Sequence, residues 1–193
     1  MQERKIITRN KIFASALSLF NEKGIDGTST REITQKAGIA EGTLYRHFTS
    51  KDELAWCLFE HHYRNIAQTL SEAKNQSRDF RETVEFTVHA FCSLVDYAPA
   101  AFQYCMLSQH NFLDRVAADD GNPVIVIRSI IVDAIREGLI PEGDPNLLTS
   151  MALGIVMQPA TFLLYGRLKG PFENHAKECA EAVWLILSAR TGE

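Results

Sequence analysis

The sequence predicts an all-α protein of about nine helices, and three observations predict it. Apolar residues return at three- and four-residue steps through most of the chain. Two helix-start signals, Ser29-Thr30-Arg31-Glu32 and Ser50-Lys51-Asp52-Glu53, open segments of that kind with a hydroxyl and a carboxylate placed to satisfy exposed N–H groups. No stretch alternates apolar and polar residues as a half-buried strand does.

The elements follow in order. Over residues 8–23, Ile12, Phe13, Ala16, Leu17 and Phe20 form one buried face, and Gly24 stops the helix. A short second helix starts at the Ser29 box and ends at Gly38. Ile39, Leu44 and Phe48 then face the first two helices from a third, whose outward stretch is residues 41–47. A fourth runs without a strong breaker from the Ser50 box to about residue 74, roughly 36 Å at 1.5 Å per residue. Further helices are expected over about 79–97, 99–110 and 123–137, with Pro99 and Pro123 tolerated in first turns. A long one runs from Asp144-Pro145 to about 169, kinked near Pro159, and a last one covers about 173–189.

At 193 residues the chain can bury a substantial core without disulfides or metal. Cys57, Cys92, Cys105 and Cys179 lie too far apart for a zinc knuckle or redox motif and read as buried thiols in a reducing compartment. The N-terminus leads into an amphipathic segment and not a signal peptide, and the apolar stretches look too short to span a membrane, so a cytoplasmic protein with no membrane partner is expected. The net charge of −4 conceals a division. Residues 1–51 carry nine lysines and arginines against five acids, a net of +4, and the remainder carries −8. A basic end on an acidic body suits a protein that meets phosphates at that end only.

Two short helices joined by a turn at Gly38, braced by a preceding helix, form a helix-turn-helix whose second helix would enter the major groove. Once Leu44 is assigned to the core, Glu41, Gly42, Thr43, Tyr45, Arg46 and His47 remain for phosphates and base edges. Taken singly, each of these could be an ordinary surface residue.

The run from Ala14 through Leu54 resembles the DNA-binding domain of the TetR family of bacterial transcriptional regulators. The strongest part is Gly42-Thr43-Leu44-Tyr45-Arg46-His47-Phe48 followed by Lys51-Asp52-Glu53-Leu54. The resemblance covers about a quarter of the chain. It implies that Thr43, Tyr45 and His47 contact DNA from the recognition helix, that Lys51 meets a phosphate, that Glu41, Gly42 and Arg46 set sequence preference, and that Thr30 and Arg31 reach the neighbouring backbone or groove. It implies a DNA-binding domain over residues 1–51 and a helical ligand-binding and dimerisation domain over 52–193. Two positions depart from the family pattern: Thr34 stands where Ala is usual, and Ala40 where a Ser or Thr cap is usual. Loss of a capping hydroxyl costs about 1 kcal/mol, so the recognition helix is expected to fray without DNA.

The two last long helices carry apolar stripes wide enough for two surfaces, and the resemblance implies that they meet a second copy. Met151, Ile155, Phe162, Val183, Trp184 and Leu187 are the candidate interface residues. A two-fold homodimer would read a palindromic operator on double-stranded DNA. Between these regions lies a segment rich in aromatics and sulfur, more often plain core than pocket when taken residue by residue. The resemblance makes Tyr63, Phe86, His89, Phe102, Met106, Gln109 and Met157 candidates for an inducer cavity.

No catalytic residue, metal ligand or cofactor is expected. Adjacent His61 and His62 would point about 100° apart on a helix, poor for joint chelation, and no nucleophile-base pair or phosphate-cradling loop stands out. The expected function is a DNA-binding repressor, not an enzyme, that a small apolar or amphipathic inducer releases. Two alternatives stay open: a helical ligand-binding protein or enzyme that has lost DNA binding, and an architectural or activating DNA-binding protein without an inducer.

Overall fold

The computed structural model describes residues 2–189. Among them are nine α-helices and no strand: α1 Gln2–Lys23, α2 Thr30–Ala37, α3 Glu41–Leu44, α4 Lys51–Gln76, α5 Phe80–Tyr97, α6 Pro99–Phe112, α7 Pro123–Arg136, α8 Pro145–Leu164 and α9 Ala176–Ser188. Short 3-10 turns follow α6 and precede α9.

The chain gathers into two compact units, each assembled from two stretches of sequence. The first holds Met1–His62 and Ala100–Val116, the second Tyr63–Pro99 and Ala117–Glu193. Met1 and residues 190–193, which the expected ranges 1–51 and 52–193 include, lie outside the described residues. α4 is continuous, beginning in the first unit and ending in the second.

In the first unit Ile12, Ala16, Ile33, Leu44, Leu54 and Leu58 are fully buried. Each large side chain removed from water contributes roughly 1.5–3 kcal/mol. The Phe13 ring stacks on Phe48 at 5.7 Å. α6 completes this core: Tyr104 is buried, its hydroxyl donates to the Ala55 carbonyl at 2.8 Å, and its ring stacks on Phe20 at 5.9 Å. Burial raises the Tyr104 phenol far above its usual range, so it stays a donor.

In the second unit α5 packs on α9, and α8 lies against both α7 and α9. Val84, Val88, Cys92, Val95, Ile131, Val156, Cys179 and Val183 are among the buried side chains. All four cysteines are free thiols, and burial pushes Cys92 and Cys105 up to about 12.

Several boundaries differ from expectation for local reasons. α1 starts at Gln2 and not at residue 8, because residues 3–7 are exposed and show no buried periodicity. Regular α3 geometry stops at Leu44 and continues as a turn, with the His47 N–H returning to the Leu44 carbonyl at 2.8 Å. α8 runs through Pro159 and ends at Leu164, earlier than residue 169. Gly166, at φ 67°, reverses the chain so that its own N–H and that of Arg167 close on the Leu163 and Phe162 carbonyls at 2.9 and 2.8 Å. Regular α9 starts at Ala176, after a tighter turn whose Phe172 and Glu173 N–H groups both donate to the Asp96 carboxylate at 2.8 Å. The apolar stretches are also longer than expected. α8 is 20 residues without a charge, long and apolar enough by composition to cross a membrane, and only 22% of its most apolar window is buried.

Candidate nucleic-acid interface

The turn between α2 and α3 is built by its sequence. At the start of α2 the Ser29 hydroxyl accepts from the Glu32 N–H at 3.2 Å while Glu32 Oε2 takes the Ser29 N–H at 2.9 Å, both arms of the expected capping box. Lys23 adds an ion pair to Glu32 at 2.7 Å. The Lys23 and Ser29 hydrogen bonds hold the Glu32 carboxyl down to about 2. Gly38 ends α2 at φ 66°, a left-handed conformation that a side chain resists, and its N–H returns to Gln35 and Thr34. Thr34, the first departure from the family pattern, is buried with its hydroxyl satisfied by the Arg31 carbonyl at 3.0 Å. The second box is only half formed. Ser50 accepts from the Glu53 N–H at 3.0 Å, but Glu53 turns to the N–H and hydroxyl of Thr49.

The start of α3 is uncapped, since Ala40 supplies no side-chain hydrogen bond. In its place Thr30 donates to Glu41 Oε1 at 3.1 Å, which joins the first residues of α2 and α3 and brings Thr30 and Glu41 onto one surface. Arg46 donates to the Thr43 hydroxyl at 3.0 Å. Arg31, Glu41, Gly42, Tyr45 and Arg46 are exposed, while Thr30, Thr43 and His47 are half-buried. Tyr45 leaves 49% of its surface in solvent, a large cost for a ring with nothing to cover it. Gly42 has open space where a Cβ would stand and no left-handed backbone, so neither packing nor conformation demands glycine there. Its smallness leaves room for something outside the chain.

His47 has the most charged surroundings. Partial burial lowers its pKa below the usual 6.5, and the charges of Lys5, Arg46 and Arg9 lower it further. Arg9 in turn lies over Phe13 and Phe48 at 5.0 and 5.9 Å. Lys5 and Arg9 thus share a positive patch with Arg46 and His47, and sequence reasoning counted them only as part of the net charge. A cation one α1 turn from Phe13, on the side of the helix that meets Phe48, is the signal that points to Arg9.

Lys51 is placed differently from the rest. Its ammonium donates to the Ile25 and Thr28 carbonyls at 2.7 and 3.0 Å, with Asp26 O at 3.4 Å. An ammonium has three donors, and here they are directed to the loop between α1 and α2. Thr28 fastens the same loop from within, donating to the Gly24 carbonyl at 2.8 Å.

The positions expected to line an inducer cavity fall in both units. Phe102, Met106 and Gln109 belong to the first unit, and Tyr63, Phe86, His89 and Met157 to the second. Phe86 and His89 are exposed, on the face of α5 opposite Val84, Val88 and Phe91, whereas Phe102 is buried. Tyr63 reaches Asn122 Oδ1 at 3.4 Å. A pocket of about 600 Å³ does occur in the first unit, and none of the seven lines it.

The expected dimer positions divide as well. Val183 and Leu187 are buried inside the second unit, on the inner side of α9. Trp184 packs on Phe80 at 6.0 Å beneath the Arg81 guanidinium. Met151 and Phe162 are exposed and Ile155 half-exposed on α8, and Leu147 and Leu185 join them as uncovered apolar side chains.

Residues 12–55 match the family model of the bacterial regulatory proteins of the tetR family. The chain is similar to the HTH-type transcriptional activator FasR of Mycolicibacterium smegmatis, with 24% identity over 57% of this chain and 50% of that one. It is similar to the HTH-type transcriptional repressor KstR2 of the same organism, with 25% identity over 68% and 64% of the two chains. The matched region therefore spans half to just under two thirds of these relatives. In fold it is similar to the transcriptional regulator FadR of Bacillus subtilis, solved with stearoyl-CoA, at a TM-score of 0.71 and 18% identity over 92% and 97% of the chains.

Proposed function

We propose, from the premise that this chain belongs to the TetR family of bacterial regulatory proteins, that it is a cytoplasmic repressor which binds a palindromic operator as a homodimer and is released by an amphipathic small molecule. The observation that carries the reading is the exposed surface of α2 and α3. There Tyr45 lies uncovered, Gly42 leaves open space, and Arg46 and His47 share a patch with Lys5 and Arg9. Such a patch supplies phosphate neutralisation, and the α3 residues supply contacts to base edges.

α8 supports the homodimer. A 20-residue uncharged helix that leaves Leu147, Met151 and Phe162 exposed presents an apolar face that a second copy can cover with the same face. Two copies would present two α3 helices to successive turns of the groove, so the operator is an inverted repeat. The bound stearoyl-CoA of the B. subtilis regulator supports an acyl thioester as the first ligand to try. α4 is the element through which occupancy would bias DNA affinity, since it begins beside α3 and ends in the second unit.

Mobility shifts with promoter fragments across a salt series test the reading. A preferred fragment should bind at least about 10³-fold tighter than random DNA. Replacing Arg46 with Ala should cost about 1–3 kcal/mol and relax the sequence preference. Stearoyl-CoA should dissociate the complex at micromolar concentration. Equal binding of all fragments at physiological salt would end the specific-regulator reading. A promoter whose transcription falls when the gene is deleted would make the protein an activator.

A further inference from the structure

We infer that the first unit holds a second small-molecule site, on the DNA-reading unit itself, which takes an organic cation with an apolar ring or chain. The site is the pocket of about 600 Å³ walled by the end of α1, the loop after it, the first turns of α4 and the outer face of α6. That volume holds a drug-sized molecule.

The walls define the chemistry of the occupant. The floor is apolar, with Phe20 and Tyr104 stacked on each other and Phe112 beside them. The rim carries two carboxylates from different elements, Asp26 in the loop and Asp52 in α4, both exposed and neither ion-paired with another of the described residues. Asn21 lines the same pocket. Its Nδ2 donates to the Ala100 carbonyl at 2.7 Å, but its Oδ1 is buried with no hydrogen-bond partner. A ligand N–H that reached this acceptor would satisfy it. The one cation among the lining residues, Arg115, has its guanidinium over the Trp56 ring at 4.4 Å, and the neighbouring Lys51 ammonium is taken up by the Ile25 and Thr28 carbonyls. The uncommitted groups are thus acceptors and anions over an aromatic floor, which complements a protonated amine on an apolar body.

The loop that forms one wall is the one Lys51 clasps, and it leads directly into the cap of α2. An occupant would therefore rest against the segment that positions the DNA-reading helices. This site goes beyond the repressor reading and is tested without DNA, so the two can fail separately.

The test uses the full chain carrying Trp184→Phe, which leaves Trp56, one of two tryptophans, as the sole indole, excited selectively on the red edge of its absorption. Three probes of matched shape are titrated: 2-phenylethylammonium, 2-phenylethanol and 3-phenylpropanoate. The cation is expected to bind at millimolar concentration or better and to change Trp56 emission as Arg115 shifts. The alcohol should bind at least about threefold more weakly and the anion more weakly still. Asp26→Asn with Asp52→Asn should remove most of the cation's advantage, about tenfold at two partly exposed charges. Unchanged thermal melting would show that the double variant is folded. Leu107→Phe, on the exposed pocket wall, should weaken all three probes in a chain that keeps both carboxylates and Trp56 as its one tryptophan. Equal affinity for the three probes, or full cation binding by the double variant, would overturn the assignment.

Discussion

His47 and Lys51 show how differently two residues of one motif can be employed. His47 stands among Lys5, Arg9 and Arg46, and burial with these charges keeps its pKa below 6.5. A phosphate brought against it would favour the protonated form, so binding takes up a proton. Affinity for the operator should then rise as pH falls from 8 through the free-protein value, by at most about tenfold per pH unit for one proton, and level off below it. Fluorescence anisotropy on a labelled operator across that range would show the slope, and His47→Gln should remove it. A flat profile in the unmodified protein would mean that His47 faces no phosphate. For Lys51 the expected outcome concerns stability. Lys51→Met should cost about 1–3 kcal/mol, because the Ile25 and Thr28 carbonyls lose their donor, while Lys51→Arg should recover part of it. Chemical denaturation measures both. A loss of DNA affinity with unaltered stability would assign the ammonium to a phosphate instead.

Among the elements, α3 is the least secured, being four residues long with no side-chain cap. Ala40→Ser should supply the missing acceptor and add about 1 kcal/mol to local stability, visible as slower amide exchange at Thr43 and Leu44. Unchanged exchange there would show that the Thr30–Glu41 hydrogen bond already does this work. The short-range features of this region were legible in the sequence. The Ser29 box and the Gly38 stop depend on residues within a few positions of each other, and both formed as read. What escaped reading depends on absence of pattern or on distant partners. Residues 3–7 extend α1 with no buried face to announce it. Regular α9 begins late because Asp96, far away in the chain, captures the two N–H groups before it. Thr49 drew Glu53 away from Ser50 by offering two donors where the box offers one. Which of the aromatic residues are buried was not legible either, as with exposed Phe86 and buried Phe102, since spacing along a helix does not say which neighbour a face will meet.

At the scale of the whole molecule, the uncovered face of α8 has the largest consequence. Met151 is 43% exposed at its centre, so Met151→Glu should leave the subunit folded. A two-fold interface would bury the new carboxylate twice without a partner, weakening the dimer by about 10²-fold or more. Light scattering with size exclusion would register a monomer with an unchanged circular dichroism spectrum. A monomer in the unmodified protein would instead require another cover for α8. The composition of the first unit has a consequence of another kind. Tyr104, Phe112 and the Ala100 carbonyl come back from residues 100–116 to Phe20, Phe59 and Asn21. A ribosome must therefore deliver more than half the polypeptide before the DNA-reading unit can close, and a chimera that grafts residues 1–51 onto a foreign body would arrive without one of its walls. A graft that carries α6 along with residues 1–51 is therefore expected to melt at a higher temperature than one without it.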